Sequence, residues 1–413
     1  MFFARKLSEV VEKGLCTGCG LCESMAGKAH LEMKISSLGF MRPVFKTELN
    51  SGLEQKILQV CPGRKVEAPR ANKSQGLHHR IFGQVESIAK GYAVDAETRF
   101  KAATGGVLTA LAIYLVESGR VEAVLQTSVS KDQPLLNESR FNNNRTDIIA
   151  SSGSRYGPVS PLNEVLDYLD KGSVFAFVGK PCDVAALRNL AQIDARVNQQ
   201  IPYMLTMFCG ATPSIHATEN IISKYELEPD QVSEFRYRGH GWPGPTYIKS
   251  RDGREFFQTY DETWFSEMTY DLMFRCNLCA DGIGESADVV AGDCWQMEGE
   301  KPSHRELGDG WNFYIARNQK GLELLNNAID AGYISRNTFT IAELESMHDD
   351  HAYKKRSVLW RTLGLWISGQ PSTIFTHLRV FSAGMLNASW RERWEGLTGM
   401  ISRARRGRNL EPM

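Results

Sequence analysis

The sequence predicts an α/β fold in three parts: a small cysteine-bearing N-terminal segment, a mixed or parallel-sheet α/β core, and a helical C-terminal tail. Three observations predict it. Cys16, Cys19 and Cys22 crowd into GLCTGCGLCES, and Cys61-Pro62-Gly63 closes the same stretch. From residue 91 the texture alternates between strand-like and helix-like segments, about one element per dozen residues. From about residue 350 the chain becomes rich in Trp, Arg and Lys, as in KKRSVLWRTLGLW and SWRERWEGL. The expected boundaries are residues 1–68, a polar linker at 69–90, the core at 91–340 and the tail at 341–413.

Each core element has its own warrant. GYAVD reads as a strand, and TGGVLTALAIYLVESG as an amphipathic helix stopped at Gly119. VEAVLQTSV is a strand, PLNEVLDYLDKG a helix, SVFAFVG a buried strand and DVAALRNLA a helix. IPYMLTMFC and SIHATENIISKYE repeat the pair. FRYRG, TYIKS and EFFQTY form a strand-rich passage, followed by the strands ADVVAGD and WNFYIARN and the helix GLELLNNAIDAG. This βαβα rhythm points to a doubly wound sheet with parallel strands.

Composition narrows the function classes. The chain has 413 residues, 42% apolar and 23% charged, with 48 basic and 48 acidic side chains. Zero net charge gives no global pull toward nucleic acid or an anionic membrane. The apolar run VLTALAIYLV is too short to span a bilayer, and MFFARKLSEVVEKG lacks a signal-peptide core, so a cytoplasmic protein without membrane association is expected. The tail is expected to be helical and packed on the body, with docking to a membrane, a second copy or a partner subunit as the alternative.

The nine cysteines fall in groups, which in a reducing compartment argues for metal binding over disulfides. Three thiolates at CxxCxxC spacing wrap three corners of a 4Fe–4S cluster. The glycines between them permit the tight loop, and a remote Cys61-Pro62 supplies the fourth ligand. Zinc, the competing occupant, favours paired CxxC or Cys/His sets. A second cage is expected from Cys276 and Cys279 with Cys182 and Cys209, two cysteines at strand ends that converge on one crevice, for iron–sulfur or zinc. The alternative is that these are buried structural cysteines. Cys294 reads as a buried thiol that is not a ligand.

Thr104-Gly105-Gly106, SSGSRYGP at 151–158, GKPCDVAALR at 179–188, FCGATPS at 208–214 and RCNLCADGIGESADVVAGDCW at 275–295 resemble, in this order, the coenzyme F420-reducing hydrogenase/dehydrogenase beta-subunit family. The resemblance covers roughly residues 10–335. It implies an FAD, a 4Fe–4S cluster on Cys182, Cys209, Cys276 and Cys279, and electron transfer between them. The ferredoxin-like segment with Cys16, Cys19, Cys22 and Cys61 implies a second cluster, a plan similar to that of ferredoxin-dependent reductases of chlorophyll derivatives. The chain departs from those reductases at CESMAGKAH and YRGHGWPG, so their substrate does not carry over.

Beside that resemblance, the residues suggest roles. The N–H groups at Thr104, Gly105 and Gly106 open a helix and suit a flavin phosphate or ring edge, with plain helix capping as the alternative. Ser152, Gly153 and Arg155 form a small-residue loop with a cation for the same cofactor. Lys180 stands at a strand end, to stabilise an anionic reduced flavin or raise the cluster potential, or else as a surface lysine. In FRYRGHGWPG, Arg236 and Arg238 are expected on one face with Trp242 as a pocket for an anionic conjugated substrate, and His240 as proton donor. The alternative is a structural turn. The expected function is electron flow from a one-electron donor such as ferredoxin through both clusters to FAD and on, as hydride, to a small conjugated acceptor such as F420. The second expectation is an electron-transfer subunit with no substrate site of its own.

Overall fold

The computed structural model describes residues 2–70, 76–299, 301–303 and 308–411. Seven strands form the central sheet: β1 (Ser87–Gly91), β2 (Ala123–Val129), β3 (Asn137–Asn142), β4 (Phe175–Gly179), β5 (Met204–Met207), β6 (Val289–Asp293) and β7 (Asn312–Ala316). Their order is β1-β7-β6-β5-β4-β2-β3. β2, β4, β5 and β6 run parallel at the centre. β3, β7 and β1 pair antiparallel at the two edges.

The central strands are apolar on both faces because helices cover both. Helix α1 (Val107–Glu117) buries Leu111 and Leu115 against Val124, Ala176 and Leu205 on one face. Helix α2 (Pro181–Leu190) places Val184 and Leu187 against Leu125, Phe175 and Phe177 on the other. Val124 and Leu125, or Ala176 and Phe177, are sequence neighbours with opposite faces, as the pleat requires. The fold is the expected doubly wound α/β sheet.

The N-terminal segment folds as short helices, a hairpin of Leu31–Ile35 with Met41–Phe45, and the helix Ser51–Val60. It is stitched to the rest: Leu162 donates its N–H to the Cys19 carbonyl (2.9 Å), and strand Lys65–Glu67 pairs with Ile374–Thr376. The C-terminal region is helical, as expected. Helix α3 (Asp349–Ile367) and helix α4 (Trp390–Arg405) lie side by side, and glycine permits the approach: a Cβ at Gly364 would stand 2.7 Å from the Leu397 carbonyl oxygen. No helix among the described residues is long and apolar enough to cross a membrane.

The linker at 69–90 needs correction. Residues 71–75 lie outside the described residues, but Leu77–His79 and Gly83–Val85 form a hairpin and Ser87–Gly91 is sheet strand β1. Its polar sequence fits an edge strand, which has one neighbour and less to bury. The strand expected at GYAVD accordingly ends at Gly91.

Candidate functional site

The first four cysteines converge. Cys16, Cys19, Cys22 and Cys61 line one small cavity whose other walls include Leu7, Val10, Met33, Ile57 and Val60. Gly20, in the left-handed region at φ 85°, turns the loop into the helix Leu21–Ala26; a Cβ there would stand 2.8 Å from that of Ser160. Cys61 caps the helix Ser51–Val60, which brings it back over the loop. Burial pushes these thiols up, Cys61 to about 11, and each of Cys19, Cys22 and Cys61 is raised further by other members of the set. Four sulfurs that repel one another's charge inside apolar walls suit a cationic centre, and the all-sulfur donor set fits an iron–sulfur cluster.

The second set converges as well. Cys182 stands in the first turn of α2, directly after Pro181, and Cys209 follows β5. Cys276 lies within a short turn at Phe274–Leu278 and Cys279 directly follows it, and the Cys209 N–H donates to the Gly282 carbonyl at 2.8 Å. Burial raises Cys209 to about 12, with Cys276 and Cys279 adding to it. Burial and Asp183 raise Cys182, with Cys209 and Cys279 adding to it. These influences put Cys209 within electrostatic reach of Cys182, Cys276 and Cys279.

A cavity of about 260 Å³ opens where β4, β5 and β6 end, the crevice that open α/β sheets use for ligands. Thr104, Gly106, Ser152, Gly153, Arg155, Lys180 and Arg238 line it, and so does Cys209 of the second set. Gly105 backs the wall instead: a Cβ there would stand 2.7 Å from the Asn312 nitrogen. Not every expected donor is free. The Val107 N–H, at the start of α1, donates to Asn312 Oδ1 (3.1 Å), and the Thr104 hydroxyl donates to Asp293 Oδ1 (2.8 Å). The Arg155 guanidinium donates to Asn137 Oδ1 (2.7 Å) and the Phe235 carbonyl (3.0 Å), tying the loop to the neighbouring small sheet.

Lys180 pairs with Asp183 at 2.9 Å. Burial pulls its ammonium down, but Asp183 and the adjacent Cys182 outweigh burial and hold it above the ordinary lysine range. Lys180 is therefore a fixed positive charge between cavity and cage, not a surface lysine.

The FRYRGHGWPG stretch departs from expectation. The strand Val232–Arg236 ends at its arginine, and Arg238 lines the cavity whereas Arg236 does not. Arg236 lies over the Tyr247 ring (4.9 Å), away from the cavity wall. Arg238 is 3% exposed and forms a two-pronged pair with Asp293 (2.9 and 3.2 Å). His240 stacks on Phe100 (5.3 Å) and Trp242 packs on Trp295 (5.0 Å); neither lines the cavity. Gln126 and Asn312 do line it and are not among the expected residues; Gln126 begins the polar half of its strand and Asn312 opens the otherwise apolar strand β7. Asp293 is the acceptor for both Thr104 and Arg238. Cys294 sits in an apolar cluster with Phe82 and Phe313.

A doubly wound sheet with two four-cysteine sets, one opening on a strand-end cavity, defines the structural class. The family follows from comparison. Two family models described as coenzyme F420 hydrogenase/dehydrogenase match the chain, the one for the N-terminal part of the beta subunit at residues 88–167 and the one for its C terminus at residues 173–341. Together they span well over half of the chain, which belongs to this family. The chain is 22% identical over 336 residues to the coenzyme F420-dependent sulfite reductase of Methanocaldococcus jannaschii, covering 78% of this chain and 47% of the relative. It is 28% identical over 246 residues to the F420-dependent formate dehydrogenase 1 subunit beta of Methanococcus maripaludis, covering 59% of each. The chain thus spans about half to three-fifths of these relatives' length. A chain of the F420-reducing [NiFe] hydrogenase complex from Methanosarcina barkeri shares the fold, with TM-score 0.54 and 18% identity, over 72% of this chain and 98% of that one.

Proposed function

We propose that the chain is an iron–sulfur flavoprotein oxidoreductase. It would carry 4Fe–4S clusters on Cys16, Cys19, Cys22 and Cys61 and on Cys182, Cys209, Cys276 and Cys279, with FAD in the strand-end cavity. A one-electron donor such as ferredoxin and a small conjugated acceptor, F420 or another, complete the reaction. Bound together, such groups supply the exchange of single electrons for a hydride. The observation that carries this reading is Cys209, which is electrostatically coupled to Cys276 and Cys279 and also lines the cavity.

The chain's own groups fit these tasks. Lys180 places a positive charge at the boundary of cage and cavity, favouring added electrons on either side. Asp293 fixes Arg238 and the Thr104 hydroxyl in the wall, so the wall is preorganised. The aromatic group Tyr260, Trp242 and Trp295 closes the region beside Arg238. Anaerobic purification tests the reading: two clusters' worth of iron and sulfide with one FAD are expected. Zinc in place of iron, with no flavin released on boiling, refutes it.

A second reading, an electron-transfer subunit of a larger complex, draws on relatives that are themselves named as subunits. Turnover of small conjugated acceptors by the isolated chain supports the enzyme. Reduction of its centres with no turnover until a partner is added supports the subunit.

A further inference from the structure

Arg275 sits where the two cysteine sets meet. It directly precedes Cys276, and its Nη2 donates to the carbonyl of Pro62 (3.4 Å), the residue directly after Cys61. Its guanidinium lies over Phe375 (5.4 Å) and the residue is 3% exposed. Nε is buried with no acceptor, and among the described residues no carboxylate pairs with the side chain. Its charged neighbours are different. Arg42, coupled to both Cys16 and Cys276, is paired with Glu411, and Lys180 is paired with Asp183. Arg275 is thus a buried cation at this junction whose charge no carboxylate among the described residues balances. An unbalanced buried guanidinium is costly unless anionic groups face it. Cys61 of one set and Cys279 of the other both feel its charge.

We propose that Arg275 is a shared positioning residue for two adjacent iron–sulfur centres: its charge raises the reduction potential of both, and its bond to Pro62 joins one ligand loop to the other. The proposal rests on the two-cluster reading above. A four-thiolate 4Fe–4S centre is anionic in either redox state, so two such centres supply the counter-charge that Arg275 lacks. Because the charge lies between the sets, its effect is felt by both and eases reduction of each.

The test is a redox titration followed by EPR on anaerobically purified protein, with the second cluster assigned in a Cys16→Ala background. Arg275→Gln keeps a donor for the Pro62 carbonyl and removes the charge. It should retain the iron and shift both clusters to more negative potentials. Arg275→Lys keeps the charge and should return both toward the wild-type values. Full iron with unchanged potentials in Arg275→Gln overturns the role of Arg275 alone. A shift confined to the second cluster reduces Arg275 to a local neighbour of Cys276 and also overturns it. Wild-type protein without iron and sulfide overturns the cluster reading itself.

Discussion

Arg238→Met tests how the cavity wall is held. Arg238 gives two bonds to Asp293, at 2.9 and 3.2 Å, and one to the Pro243 carbonyl at 3.1 Å, and it lies over the rings of Tyr260 and Trp295. Methionine fills similar space but leaves Asp293 with the Thr104 hydroxyl alone. Breaking a buried pair from one side costs about 3–5 kcal/mol near neutral pH. Burial pushes the Asp293 carboxyl up, but Arg238 outweighs it and holds the group below the usual aspartate range. In the wild type this stabilisation is present above the ordinary carboxylate pKa and is lost as pH falls through the depressed value. In Arg238→Met, burial acts unopposed and the folded-state pKa rises. The variant therefore regains stability as pH falls through that raised value, and the gap to wild type narrows. Urea unfolding followed by tryptophan fluorescence, near neutral pH and again at about pH 5, reads both effects. Arg238→Met/Asp293→Asn should recover most of the loss. A gap below about 1 kcal/mol, or one that ignores pH, or strictly additive costs in the double variant would refute the reasoning.

Cys16→Ala should lower iron and sulfide by about half while flavin stays bound; unchanged iron on colorimetric assay rejects the first cage. Burial lowers the His348 pKa to about 4, with His351 adding to the effect and the Asp293 carbonyl opposing it. Unfolded His348 takes up a proton below about pH 6.5 and the folded residue does not, so stability falls by up to about 3 kcal/mol between that pH and about 4. His348→Gln should flatten the acid side of the thermal stability profile in that window, and an unaltered profile rejects the assignment. Lys355→Met removes a buried partner of Glu285 and should cost about 3–5 kcal/mol in urea unfolding, with Arg379 as the remaining counter-charge.

The elements that the sequence made legible are those whose periodicity is imposed by burial. VEAVLQTSV and SVFAFVG are apolar because both faces of β2 and β4 are covered, and α1 is announced by its apolar run and its Gly119 stop. CxxCxxC is legible because three ligands share one tight loop. What stayed hidden depends on distant partners or on an edge position. β3, NESRFN, is polar along most of its length because it pairs on one side only, so alternation does not reveal it. The parity argument for Arg236 and Arg238 assumed that the strand continues, whereas it ends at Arg236. Arg42 and Glu411 are 369 residues apart in sequence, and no local pattern can signal their pairing.

The same distance rule explains the C-terminal helices. The family models end at residue 341, yet α3 begins soon after and reaches back to the second cysteine set. Lys354 donates to the carbonyl of Gly210, Lys355 to that of Ala280 (2.8 Å) and Arg361 to that of Asn277 (2.8 Å). Each acceptor directly follows a cysteine of the set: Cys209, Cys279 or Cys276. Three cations on one helix thus hold the backbone just beyond three of four sulfurs, where long side chains can supply both hydrogen bonds and positive charge. Glu285, on the same cysteine loop, closes the arrangement by pairing with both Lys355 and Arg379. A centre that gains negative charge on reduction is best held by donors that are already fixed and cationic, because nothing need reorganise when the electron arrives. The Trp- and Arg-rich tail is therefore bound up with the second cysteine set, and its Lys354, Lys355 and Arg361 are engaged by the protein's own carbonyls.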